Sequence, residues 1–108
     1  WCNKAAYLML KELGVFLPWP KLANELIAWI DAGNDGWYSV SEGNAQAAAL
    51  RGEPAVATWY NLGGSGHIAL VLPYEGEVQI AQAGASNFNR GSVRRGFGSK
   101  RPAYYARD

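Results

Sequence analysis

The hydrophobic period of this chain changes once, near Pro54, from a helical spacing to an alternating one. That switch restricts the fold more than any single residue does. Upstream of it, Cys2, Ala6, Met9, Leu10 and Leu13 lie on one helical stripe, and Gly14 follows as a terminator. Pro18-Trp19-Pro20 breaks the chain. Leu22, Leu26, Trp29 and Ile30 then form a second stripe that stops at Ala32-Gly33-Asn34-Asp35-Gly36. Ser39 and Glu42 have capping-box spacing for a third, short helix through Ala45, Ala48 and Ala49, ending at Gly52. Downstream, Pro54 to Tyr60 reads as a strand and Asn61 to Gly66 as a loop. His67 to Leu72 and Val78 to Ala83 read as two strands joined through Pro73-Tyr74-Glu75-Gly76, a hairpin signal. Two further short strands are expected near Ser92–Phe97 and Ala103–Ala106. Helices first and strands afterwards predict an α+β domain, with the N-terminal helices packed on a central antiparallel sheet.

Composition narrows the class. With 108 residues, 49% of them hydrophobic, the chain is expected to be a single domain over residues 1–108 and a monomer. An aromatic fraction of 13% against 18% charged residues excludes an intrinsically disordered segment. One cysteine excludes an internal disulfide and argues against a cysteine-based zinc site, so neither metal nor other cofactor is expected. No apolar run approaches the ~20 residues of a membrane span, and no signal-peptide pattern is present. The chain opens on Trp1 rather than Met, which reads as an excised or trimmed domain and leaves localisation unassigned. Charge is uneven. Residues 1–89 carry Lys4, Lys11, Lys21 and Arg51 against eight acids, whereas Arg90, Arg94, Arg95, Lys100, Arg101 and Arg107 face Asp108 alone. A basic end can steer a domain toward an anionic wall polymer, although the simpler reading is a solvated face balancing the acidic remainder. Nucleic acid is not the expected partner, because the basic stripe is narrow and the pI is only about 8.1.

Two residues stand out chemically. Cys2 falls at the start of the first helical stripe, where partial positive charge lowers a thiol pKa and makes a usable nucleophile. His67 is the sole histidine and therefore the only imidazole partner available. A lone cysteine is commonly a small buried hydrophobe, and a strand histidine is commonly structural. If the hairpin pairs Leu72 with Glu77, His67 lies opposite Gln82, whose side-chain oxygen could orient the ring. Asn87 and Asn89 are the alternatives. Other motifs fail. Gly63-Gly64-Ser65-Gly66 forms no nucleophile elbow, since His67 takes the final glycine's place, and no Lys-Ser/Thr follows to make a phosphate loop. Glu75 and Glu77 sit in a hairpin turn, where a solvated role is expected rather than a glycosidase pair. Of the five tryptophans most are core or groove wall; Trp37 and Trp59, with Asn61, are the candidate substrate contacts.

The order of these parts is similar to a known group. A cysteine opens a helix (Trp1-Cys2-Asn3-Lys4-Ala5-Ala6), then comes Gly66-His67-Ile68-Ala69-Leu70-Val71, then Ala81-Gln82-Ala83-Gly84. The chain resembles, from Cys2 to about Asn89, the NlpC/P60 and CHAP superfamily of papain-like cysteine peptidases and amidases that cut bacterial peptidoglycan. Phe97 to Asp108 also resembles the closing strands of small phage or bacterial lysin domains. The resemblance implies a papain-like fold, Cys2 as nucleophile, His67 as general base and a polar third residue, here Gln82. It departs from the family around the cysteine and at Gln82, where His, Asn, Glu or Asp is usual. A C39-like peptidase processing a protein leader, and a non-catalytic module binding cell-wall glycan, are the competing readings.

Overall fold

A computed structural model of the chain describes residues 23–63, 66–82, 88–93, 97 and 100–107. The first helical stripe, with Cys2, lies outside the described residues, as does Asn87. Among the described residues, α1 (Ala23–Asp31) and α2 (Glu42–Leu50) are the longer helices and accompany six strands. The strands are β1 (Trp37–Val40), β2 (Ala55–Trp59), β3 (His67–Val71), β4 (Gln79–Gln82), β5 (Phe88–Ser92) and β6 (Ala103–Arg107). They form one sheet in the order β1-β6-β2-β3-β4-β5, and each neighbouring pair is antiparallel. The domain is therefore α+β, a small antiparallel sheet with helices.

The helices cover opposite faces of the sheet. Leu26 and Ile30 of α1 pack with Val56, Ile68, Leu70 and Tyr105. Ala45, Ala48 and Ala49 of α2 pack on Ala57, Ala69 and Ile80. Alternate residues of β2 thus enter different cores, and four of its five residues are buried. Small side chains on the α2 side allow that helix to lie close to the strands. Strand β6 fastens both layers, because adjacent strand residues point to opposite faces. The Tyr104 hydroxyl donates to Glu42 Oε2 on α2 at 2.7 Å, and the Tyr105 hydroxyl donates to Asp31 Oδ1 on α1 at 2.6 Å. Burial first, then the bonded carboxylate, pushes Tyr105 up to about 12 and Tyr104 higher still.

Local signals account for the helix ends. Gly33 takes φ 83° after α1, and its N–H donates to Ile30 O at 3.0 Å. The cap of α2 differs from expectation. Ser39 is a residue of β1, and Ser41 is the N-cap, its Oγ accepting from the Asn44 N–H at 3.2 Å. Pairing of Trp37–Val40 with Arg107–Tyr104 holds Ser39 extended, so the helix begins two residues later than a Ser39 cap requires. The strand expected near Ser92–Phe97 is also corrected. β5 ends at Ser92, which pairs with Gln79 at the start of β4, leaving no β4 residue to pair with the chain beyond. Val93 and Phe97 are helical.

The hairpin register differs as well. Leu70 pairs with Ala81 and Val71 with Ile80, and the Leu72 N–H donates to Gln79 O at 2.9 Å. Leu72 thus meets Gln79 rather than Glu77, a slip of two residues. The cause is visible on α2. The Gln46 side-chain amide donates to Tyr74 O at 2.6 Å and Gly76 O at 2.8 Å, holding the turn open, while Gly76 takes φ 105°. A slip of two keeps every side chain on its face. The register carried one pair further sets Gln82 opposite Ala69 rather than His67.

Candidate functional site

His67 is the first residue of β3 and is half-buried. Directly across in β2 stands Trp59, so the two share a face of the sheet. The Phe97 ring meets the imidazole edge-on, with centroids 4.6 Å apart and planes at 71°. The Lys100 ammonium lies 4.9 Å from the centroid of the Trp59 ring, within cation–π range. The segment between β5 and β6 thus brings an aromatic ring and a cation to the His67 end of the sheet. Sequence reasoning missed Phe97 in this role, because it lies 30 positions from His67 with no shared periodicity.

The chain entering His67 is held from below. Asn24 on α1 donates its amide to Asn61 O at 2.6 Å, and the Asn61 N–H donates to Asn24 Oδ1 at 3.0 Å. Gly66 is buried against this clamp. A Cβ on Gly66 would fall inside the van der Waals reach of Asn24 Oδ1 and 3.0 Å from the Trp59 carbonyl oxygen. Glycine before His67 is required by close approach rather than by an unusual dihedral. A Gly-His pair at a strand entrance is the signal that could have exposed this contact.

The other expected site residues are placed as follows. Gln82 closes β4, paired with Phe88 of β5, and its side chain lies outside the described part. The irregularity between Ile80 and Gln82 leaves two residues of β5, Asn89 and Arg90, opposite one of β4, so the alternation along β4 is kept. Trp37 is only 2% exposed, inside the core under α1, which leaves its ring no face for a substrate. Asn61 uses its side chain locally, Oδ1 accepting from the Gly63 N–H at 3.1 Å. Of the two candidate tryptophans, Trp59 is the one only partly buried. Within the basic end, Lys100 and Arg101 are exposed, whereas Arg107 pairs with Asp35 at 3.1 Å and steadies the turn before β1.

Beside the His67 cluster lies an open groove of about 810 Å³. Val40, Val78, Val93 and Tyr104 supply its apolar surface; Glu42, Glu77, Lys100 and Arg101 supply charge. Lys100 belongs to both the groove wall and the Trp59 contact. Among the described residues no three His, Cys, Asp or Glu side chains gather as metal ligands, and no helix is long and apolar enough to cross a membrane. No protein-family model matches the chain, and comparison with curated proteins found no match.

Proposed function

We propose that this domain is a cysteine hydrolase of the papain-like kind that cleaves amide bonds in the peptides of bacterial peptidoglycan. The observation that carries the reading is His67 itself: the sole imidazole, half-buried at a strand entrance, flanked by Trp59 and Phe97, with Lys100 of the groove wall over the Trp59 ring. In the proposed reaction the Cys2 thiolate attacks the scissile carbonyl carbon. The C–N bond breaks as the His67 imidazolium gives its proton to the leaving amine, and a thioester forms. Water, deprotonated by His67, then attacks the thioester and releases a carboxylate and the thiol. Gln82, which the register sets opposite Ala69 rather than His67, is carried over from the resemblance as the residue that orients His67, with Asn87 as the alternative. The Cys2 backbone N–H supplies one donor to the tetrahedral oxyanion. No metal or other cofactor takes part.

The test is hydrolysis of purified sacculi, with soluble fragments analysed by mass spectrometry. Cys2→Ala and His67→Ala are each expected to abolish release of new amine ends while the circular dichroism spectrum stays that of the parent. A folded Cys2→Ala variant that keeps most of the activity ends the cysteine-hydrolase reading.

A further inference from the structure

The groove beside His67 has a composition that selects a ligand. Its lining is apolar at Val40, Val78 and Val93, and charged at both signs. The acids come from the first turn of α2 (Glu42) and the approach to β4 (Glu77); the bases, Lys100 and Arg101, come from the approach to β6. Among the described residues no ion pair engages any of these four side chains. Glu42 accepts from the Tyr104 hydroxyl at 2.7 Å, which fixes one carboxylate at the groove wall. Lys100 is held over Trp59, which turns a long flexible cation into a placed one. A volume of about 810 Å³ lies within the roughly 300–1,000 Å³ range of ligand clefts.

We propose that this groove binds a short peptide carrying both an ammonium and a carboxylate, the ammonium at Glu42 and Glu77 and the carboxylate at Lys100 and Arg101. A purely anionic ligand would meet Glu42 and Glu77, and a purely cationic one would meet Lys100 and Arg101. A dipolar chain complements both signs at once, and the valines and Tyr104 accept its apolar stem. Lys100, which lines the groove, also lies over Trp59, the cross-strand neighbour of His67. The assignment of the groove as the substrate cleft rests on the cysteine-hydrolase reading; the binding itself does not.

Binding is measured by NMR titration of the whole Cys2→Ala domain, or of the wild type with Cys2 alkylated should that variant fail to fold. The probes are Ala-Glu-Lys-Ala with free ends and the neutral peptide acetyl-Ala-Gln-Gln-Ala-amide. The free peptide is expected to bind at least about tenfold more tightly, to shift the backbone amides of Val78, Val93 and Tyr104, and to weaken with added salt. Glu77→Gln and Arg101→Ala should each weaken it about two- to fivefold, as for exposed charge pairs. Equal binding of the two peptides, or shifts confined to other parts of the sheet, overturns the proposal. The two readings fail separately. Sacculus cleavage with no charge preference in binding removes the groove assignment alone. Charge-selective binding by a wild type that cleaves nothing removes the hydrolase reading alone.

Discussion

Replacing Gly66 by alanine puts a methyl group into the contact that holds the entrance to His67. The new Cβ would overlap Asn24 Oδ1 and stand 3.0 Å from the Trp59 carbonyl oxygen, which belongs to the sheet backbone. Asn24 must then move, and it makes two hydrogen bonds to the Asn61 backbone, at 2.6 and 3.0 Å. Breaking a bond so that a partly buried group is left unsatisfied costs about 1.5 kcal/mol, so the two together cost about 3 kcal/mol. Alanine recovers about 0.4–1 kcal/mol by restricting the unfolded chain. The expected loss is therefore about 2–3 kcal/mol, a large part of the roughly 5–15 kcal/mol typical of a domain. Urea unfolding followed by tryptophan fluorescence measures it, and a double-mutant cycle identifies its cause. On an Asn24→Ala background Gly66→Ala should cost less than about 1 kcal/mol, because only the Trp59 carbonyl contact remains. Additive losses, or a Gly66→Ala variant within about 0.5 kcal/mol of wild type, would refute the close-approach account.

The capping of α2 gives a sharper local test: Ser41→Ala should cost about 1 kcal/mol, whereas Ser39→Ala should change stability by under about 0.5 kcal/mol. Tyr105, raised from 10 to about 12 by burial and by Asp31, and Tyr104, raised further, ionise more easily in the unfolded chain. Their contribution is complete below pH 10 and falls as pH climbs through 10 toward 12. A Tyr104→Phe/Tyr105→Phe double variant, less stable at pH 7, should show a flatter decline of urea midpoint over that window, and an unchanged slope would count against both tyrosines as the cause. If Gln82 orients His67, Gln82→Ala lowers turnover about 10- to 1,000-fold with less than about 1.5 kcal/mol lost in stability. An inactive Asn87→Ala beside a fully active Gln82→Ala would move the orienting role to Asn87.

Much of the fold was legible in local pattern. The stripe of Leu26, Trp29 and Ile30 with the Gly33 stop marks α1, and the apolar runs around Ala57, Ala69 and Ile80 mark β2, β3 and β4. His67 at a strand entrance after glycine was legible too, as was its standing as the sole imidazole. These features depend on residues a few positions apart, which is the range over which periodicity and capping act.

Tertiary structure decided the rest, because its causes lie far apart in the chain. Four residues, Trp37–Val40, are a strand only because β6, more than 60 positions on, offers them a partner, and that pairing moves the α2 cap from Ser39 to Ser41. Hairpin register was set by Gln46 gripping the turn from a helix, which no reading of the turn residues alone contains. Phe97 and Lys100 reach His67 and Trp59 by the path of the chain between β5 and β6, and the mixed charges of the groove meet from three separate segments. Sequence alone determined which residues want to be buried and where helices and strands begin to form; which of them touch was determined by the packing of both faces of one sheet.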